Sequence, residues 1–388
     1  GAKMGHKGYG RKKPDKCEIN NIIKINGLIK CPECKNKLLK KKKLKRIVID
    51  INRIKTQKNE YEYYQKKCNK CGKIFTDKIP GVLPRFSMSN QLLTHIAIEH
   101  YLDGIPIGRI ADKVKINQGT IIFALHKLGN IFKPTVDNLI KDYRKELVRH
   151  ADETGWRNNG FQGYGWLFCS KNTSIYRFRD NRSSKVPFEV FGKKKLKGVL
   201  VVDRYNAYNK LLLNIEYCYA HILREIEDLQ KESPDNNEIK VFSDSLIPLI
   251  CEVMHLRTKN TPNILYYKQA RLLKKNILKM IYHSANDPGI QRIQNIFREK
   301  KHRLFHWVRD RNIPADNNFA ERELRATVIA RKLSFGSQSD MGCKTREILM
   351  SALHTLKKRT PDAFDSFKSA LDNYAINPNF RIYSIFKL

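Results

Sequence analysis

Three acidic residues stand in separately recognisable settings. Asp152 lies in His150-Ala151-Asp152-Glu153-Thr154-Gly155-Trp156, Asp203 follows Val199-Leu200-Val201-Val202, and Glu321 sits in Asn317-Asn318-Phe319-Ala320-Glu321-Arg322. Two aspartates at strand ends and a glutamate opening a helix can hold two divalent ions against a phosphate, clamping the attacking and leaving oxygens of an in-line displacement. Close carboxylates repel unless a cation neutralises them, and an all-oxygen set favours Mg2+ or Mn2+. Other readings stay open. An acid after an apolar strand also forms turns. Asn318 to Glu321 has capping-box spacing, and Glu321 to Arg325 has ion-pair spacing. Glu153 is an alternative ligand to Asp152, although strand alternation puts it on the opposite face from Asp152 and His150. Arg322, Arg325 and Lys332 make the helix around Glu321 basic, which suits a phosphodiester backbone.

Carboxylates so arranged need a sheet behind them. Leu147 to Asp152 reads as a strand, with Gly165–Phe168 and Ser174–Phe178 as two more in a meander. Lys185 to Phe191 reads as a short helix. Gly198 to Val202 is apolar throughout, the mark of a strand buried on both faces. Tyr205–Leu213 reads as a helix and Ile215–Ala220 as a fifth strand. Sites in open α/β sheets form outside the carboxyl ends of strands, so neighbouring first and fourth strands would set Asp152 beside Asp203. Residues 222–310 are helical in pattern, with breaks at Ser233-Pro234-Asp235, Thr261-Pro262 and Asp287-Pro288-Gly289. A further helix carries Glu321. Three antiparallel strands followed by alternating helix and strand is the order of a ribonuclease-H-like sheet.

Ahead of this region, Cys31-Pro32-Glu33-Cys34 and Cys68-Asn69-Lys70-Cys71 are paired by spacing. Two such knuckles, joined by strands at Arg46–Ile51 and Glu60–Tyr64, make a zinc ribbon with a structural Zn2+ on four thiolates. The remaining cysteines are scattered singly, and most read as small buried groups. Residues 81–145 are helical. Helices on either side of Lys115–Asn117 fit a helix-turn-helix, whose second helix would present Gln118, Thr120 and His126 to DNA; an ordinary helical hairpin fits nearly as well.

Composition narrows the partner. The 388 residues carry 75 Lys and Arg against 38 Asp and Glu, a formal charge of +37. That surplus calls for a polyanion, and double-stranded DNA suits it best. No apolar run reaches the roughly 18 residues of a membrane span, and no signal-peptide core opens the chain. No membrane role and a cytoplasmic, nucleoid-associated location are therefore expected.

Several segments together resemble the transposases of insertion sequence 66. They are Asp152-Glu153-Thr154-Gly155-Trp156-Arg157, Val202-Asp203-Arg204-Tyr205-Asn206-Ala207-Tyr208, Cys218-Tyr219-Ala220-His221-Ile222-Leu223-Arg224, and Asn317-Asn318-Phe319-Ala320-Glu321-Arg322-Glu323-Leu324-Arg325. Arg331-Lys332-Leu333-Ser334-Phe335-Gly336-Ser337, with Gly342 and Thr345-Arg346, extends the match. The resemblance covers nearly the whole chain. It implies an Asp-Asp-Glu transposase with Asp152, Asp203 and Glu321 as metal ligands on an α/β, ribonuclease-H-like core with a helical insertion. His221 and Arg224 would support the site, with Asn317 and Asn318 beside it. Relatives carry a further N-terminal coiled-coil region, which bears on oligomerisation, and accessory proteins of the element are expected partners, as is a second copy of the chain on DNA.

The expected organisation begins with a basic segment (1–25), the zinc ribbon (26–80) and a helical DNA-binding domain (81–145). The ribonuclease-H-like core then comes in two stretches, 146–221 and 311–360, the second bearing the Glu321 helix. The helical insertion (222–310) separates them, and a C-terminal tail (361–388) closes the chain. The expected function is metal-dependent cleavage at transposon ends with strand transfer. The competing readings are a zinc-ribbon DNA-binding protein without catalysis and a metal-dependent nuclease without joining.

Overall fold

The structure, a computed structural model, describes residues 56–62, 64–67, 71, 74–76 and 78–387. A short antiparallel hairpin comes first, β1 (Gln65–Lys67) with β2 (Ile74–Thr76). Glu60–Tyr64, expected as a strand, lies before β1, and its described residues are not in a strand. Cys71 is exposed between β1 and β2. Cys31, Cys34, Cys68 and the expected strand Arg46–Ile51 lie outside the described residues.

Three helices follow: α1 (Asn90–Tyr101), α2 (Ile107–Val114) and α3 (Gln118–Lys145). Lys115 closes α2 in the left-handed region, and the Asn117 side chain caps α3 by accepting from the Gly119 N–H. A three-residue turn therefore joins α2 to α3. The second helix is long, 28 residues, because its buried stripe from Ile121 to Tyr143 continues along the body of the protein.

The central sheet has the order β5-β4-β3-β6-β7. Its first half is an antiparallel meander, β3 (Val148–Asn158), β4 (Phe161–Cys169) and β5 (Ser174–Arg179). Asn159 and Gly160, both at positive φ, form the two-residue hairpin turn that an Asn-Gly pair favours. This turn lets β3 run to Asn158, so Asp152 lies inside the strand and not at its end as expected. Helix α4 (Lys185–Phe191) leads to β6 (Val199–Val202) and β7 (Asn214–Tyr217), which extend the sheet in parallel with β3. Between them, Asn206–Lys210 forms a 3-10 turn and not the expected helix; Asp203 folds the chain back by accepting from the Tyr205 N–H.

Helix α5 (Tyr219–Glu232) starts earlier than expected, so Tyr219 and Ala220 are helical and His221 sits in its first turn. Then come α6 (Asn237–Leu256), α7 (Asn263–Tyr282) and α8 (Pro288–Lys300). The helices start and stop at the turn-forming residues: Asn236 caps α6, and Asp287 caps α8 with Pro288 in its first turn. Last are α9 (Asn318–Ser334), α10 (Asp340–Arg359) and α11 (Ala363–Ile376).

Helix α10 covers the edge strand β5. Glu347, Ser351 and Thr355, one helical turn apart, accept from the N–H groups of Phe178, Tyr176 and Ser174 at 2.8–3.0 Å. A row of donors that would template pairing with another chain is thereby satisfied. Residues from Thr56 onward form one compact unit, and one hydrophobic core runs from Leu83 to Phe386. The segment expected as a tail carries α11, whose Phe367 stacks on Phe132 of α3 at 4.5 Å. Among the described residues no helix is long and apolar enough to cross a membrane.

Candidate active site at the ends of β6 and α9

Strand β6 is four buried apolar residues, which leaves Asp203 as the first group able to reach solvent. The β3–β6 register pairs Val148 with Val199 and His150 with Val201. Continued two residues, it sets Asp152 opposite Asp203. The carboxyl of Asp152 accepts from the Glu153 N–H at 2.9 Å. Burial pushes it up to about 8, and the charges of Glu153, Asp203 and Glu321 act in the same direction.

Glu321 enters from the first turn of α9. The capping reading does not describe it. The N-cap residue is Asn317, whose side chain makes no cap bond, and Glu321 Oε1 is buried with no hydrogen-bond partner. The ion pair that the structure gives Glu321 is with Arg224 of α5, at 3.6 Å, not with exposed Arg325.

Asn317 instead ties α9 to the sheet. Its Nδ2 donates to the Ala151 carbonyl at 2.9 Å, so its Oδ1 accepts from His150 Nδ1–H at 2.9 Å. Burial brings His150 down to about 4, which keeps the ring neutral. The His150 ring packs 5.1 Å from Phe319. Further along α9, Arg331 donates to the Gly155 carbonyl at 2.8 Å. Beyond its end, Trp156 Nε1 donates to Ser337 Oγ, and the Ser337 N–H donates to the Arg157 carbonyl. The helix is thus held to β3 at both ends, with His150, Asp152 and Thr154 on the strand face it covers.

Glu153 is spent elsewhere. Its side chain is 1% exposed, bonded to Arg182 Nε at 2.8 Å and to the Tyr208 hydroxyl at 2.5 Å. Burial raises its carboxyl, which these two partners oppose. Both neighbouring acids feel the charge of Asp203, and Asp152 feels that of Glu321 as well; Glu153 alone of the two is held by Arg182 and Tyr208.

Helix α5 contributes a side of the site that sequence reasoning had treated lightly. The Cys218 N–H donates to the Val202 carbonyl, so α5 starts where β6 ends. Cys218 Sγ accepts from the Asn317 N–H at 3.1 Å, joining α5 to α9. Burial pushes the thiol up to about 11. His221 lies one turn in; burial and nearby Arg224 lower its pKa. Cys218 is buried, as most of the single cysteines are expected to be, and it is also a contact between α5 and α9. The available signal was its position three residues before His221.

The other expected residues fall as follows. Arg322, Arg325 and Lys332 are exposed on α9, and Asn318 is partly buried with its N–H bonded to Asp316. Gln118 and Thr120 are exposed on the first turn of α3. His126 does not face outward with them: its Nδ1 lies 2.7 Å from the Thr345 hydroxyl of α10.

The raised carboxyl of buried Asp152, and a buried Glu321 oxygen lacking a donor, fit a divalent cation bound through oxygen. Fold and site together define a mixed α/β protein with two aspartates at matched positions where parallel strands end and a large basic surplus. The chain belongs to the IS66 family of transposases, whose family description it matches over residues 85–345. It is also similar to the uncharacterized protein y4qI of Sinorhizobium fredii, at 23% identity over 333 residues, covering 74% of this chain and 60% of that relative. The chain thus spans about 60% of the length of the curated relative it matches.

Proposed function

We propose that this transposase-family chain is an Asp-Asp-Glu enzyme that cuts double-stranded DNA at transposon ends and joins the freed 3′-hydroxyl to target DNA. The matched positions of Asp152 and Asp203 on β3 and β6, with Glu321 near enough for its charge to act on Asp152, carry the reading; without ions the three carboxylates do not all come within 4.8 Å of one another. The sheet order, antiparallel meander then parallel strands, with α5–α8 inserted ahead of α9, supports a ribonuclease-H-like core.

Asp152, Asp203 and Glu321 would hold Mg2+ or Mn2+, two ions at one site. Bound there, the ions supply activation of the attacking oxygen and stabilisation of the leaving one. The chain's own residues do the positioning. His150 and Asn317 tie α9 to β3, which would bring Glu321 towards the two aspartates once ions bind. Glu153, bonded to Arg182 and Tyr208, would brace the strand and add its negative charge beside Asp152. Arg224, 55% exposed beside Glu321, is placed to meet a phosphate oxygen.

Arg322, Arg325 and Lys332 offer exposed cations for the DNA backbone. Gln118 and Thr120, exposed at the start of the helix after a three-residue turn, would read bases. Cys31, Cys34, Cys68 and Cys71 would form a structural zinc site. Residues 81–145 would serve as the DNA-binding region, 222–310 as an insertion, and the active assembly would be a homo-oligomer on DNA with the element's accessory proteins.

The test is incubation of the protein with a duplex carrying the element's own end and a second target duplex. Expected are nicks that require Mg2+ or Mn2+, vanish with chelator, and lead to joined product. Cleavage without joining would reduce the protein to a nuclease. Binding without cleavage in any divalent ion would leave it a DNA-binding protein.

A further inference from the structure

Cys218, His221 and Glu321 bring a sulfur, an imidazole nitrogen and a carboxylate oxygen within 4.8 Å of one another. Among the described residues no other group of three or more such side chains meets that spacing. Cys218 precedes α5, His221 lies in its first turn, and Glu321 lies in the first turn of α9. The two helix starts are fixed to each other by the Asn317 N–H on Cys218 Sγ and by the Tyr219 N–H on the Ala315 carbonyl at 2.8 Å. The spacing of the three ligand atoms is therefore set by the fold.

Two polar atoms here lack partners. His221 Nδ1 and Glu321 Oε1 are both buried without a hydrogen bond, a state that native structures largely avoid. The donor set also differs in kind from the aspartates. Mg2+ takes oxygen ligands and holds its waters. Sulfur, imidazole and carboxylate with a fourth position open match the three-ligand sites of zinc, and thiolate with imidazole selects ions softer than magnesium.

We propose that Cys218, His221 and Glu321 form a site for a borderline-soft divalent ion of the Zn2+ class, overlapping the carboxylate cluster at Glu321. The Cys218 thiol proton is released as the sulfur ligates. An ion bound there occupies Glu321 and withdraws it from the oxygen-ligated set, so that zinc opposes Mg2+-dependent chemistry. That consequence rests on the transposase reading; the ion site does not.

Co2+ serves as a spectroscopic stand-in for Zn2+. The metal-free full chain is titrated with Co2+ as wild type, Cys218→Ala and His221→Ala, each checked for folding by circular dichroism. Cys31, Cys34, Cys68 and Cys71 are common to all three chains and cancel in the difference. Wild type is expected to bind one Co2+ more per chain than Cys218→Ala, with an added sulfur-to-cobalt charge-transfer band. His221→Ala, at a partly exposed position, is expected to lose the same equivalent. Equal stoichiometry and equal band intensity in wild type and either folded variant would overturn the site. In a separate arm, Zn2+ added to wild type cutting DNA in Mg2+ should inhibit it, and excess Mg2+ should restore cleavage. Undiminished cleavage at Zn2+ concentrations that fill the site would overturn the claimed overlap at Glu321. Failure of wild type to cut in Mg2+ alone would count against the transposase reading, while the cobalt titration still decides the site.

Discussion

Asp152 and Asp203 occupy matched positions on neighbouring parallel strands: the register that pairs His150 with Val201 reaches them two residues later. Parallel strands lie about 4.8 Å apart, so the two carboxyls leave their backbones at neighbouring points of one edge. The same residue count turns Glu153 to the other face, where Arg182 and Tyr208 hold it. A single slip of register would exchange the roles of Asp152 and Glu153.

The crowding of Asp152 has a sign that can be measured. Its carboxyl is raised from 3.8 to about 8 in the folded, ion-free protein. Between those values the folded chain holds a proton that the unfolded chain has released, so this contribution to stability is lost as pH rises towards 8. Its size is on the order of a few kcal/mol. Melting in chelator at pH 5 and pH 8.5 should show wild type losing more stability than Asp152→Asn across the interval, and added Mn2+ should shrink the loss at the upper end. Identical pH slopes in the two proteins would contradict this account of the cluster.

Asn317 gives a second test, because the capping and bridging readings of its neighbourhood differ. Removing it leaves His150 Nδ1 and the Ala151 carbonyl without partners in a buried place. Asn317→Ala should cost about 1–3 kcal/mol in urea unfolding and lower end cleavage by displacing α9. Asn318→Ala should cost well under that. Equal effects would mean that Asn317 does not hold the helix to the strand.

Gly336 fixes the other end of α9. Its φ is +125°, and a Cβ there would stand 2.1 Å from the Arg157 carbonyl oxygen. Gly336→Ala should destabilise by at least about 1–3 kcal/mol from backbone strain alone. It should also weaken the Ser337 contacts to Arg157 and Trp156. A urea midpoint within error of wild type would show that this turn is free to move.

The charge of +37 predicts how binding responds to salt. With ~8 phosphates neutralised, log affinity against log salt should fall with a slope of about −7. Lys332→Ala and Arg325→Ala should each reduce that slope by about 1 if they contact phosphates. A flat salt titration would remove DNA as the partner.

Much of this arrangement was legible from periodicity and turn residues. The apolar run Val199–Val202 announced a buried strand with Asp203 beyond it, and Asp287-Pro288 marked the start of α8. What periodicity cannot see is pairing. The length of β3 depends on the Asn159-Gly160 turn and on β4 as its partner, so Asp152, expected at a strand end, lies inside β3, two residues past its last parallel pair with β6. Local rules also competed at Glu321: Asn318 has capping-box spacing to it, but α9 begins at Asn318, and the N-cap residue Asn317 bonds instead to His150 and Ala151, 166 residues or more away in sequence. Cys218 and His126 illustrate the same limit. Each is a single residue whose contact, with Asn317 or Thr345, comes from a distant helix.

If Asp203 serves as a charged ligand in DNA cleavage, Asp203→Asn removes that role with the least disturbance. The amide oxygen can still accept from the Tyr205 N–H, at 3.0 Å in the wild type, so the turn is kept and the charge removed. Cleavage of an end-bearing duplex in Mg2+ or Mn2+ should fall by roughly a thousandfold or more, while DNA affinity stays within a few-fold. Cleavage by Asp203→Asn within a few-fold of wild type would contradict the assignment.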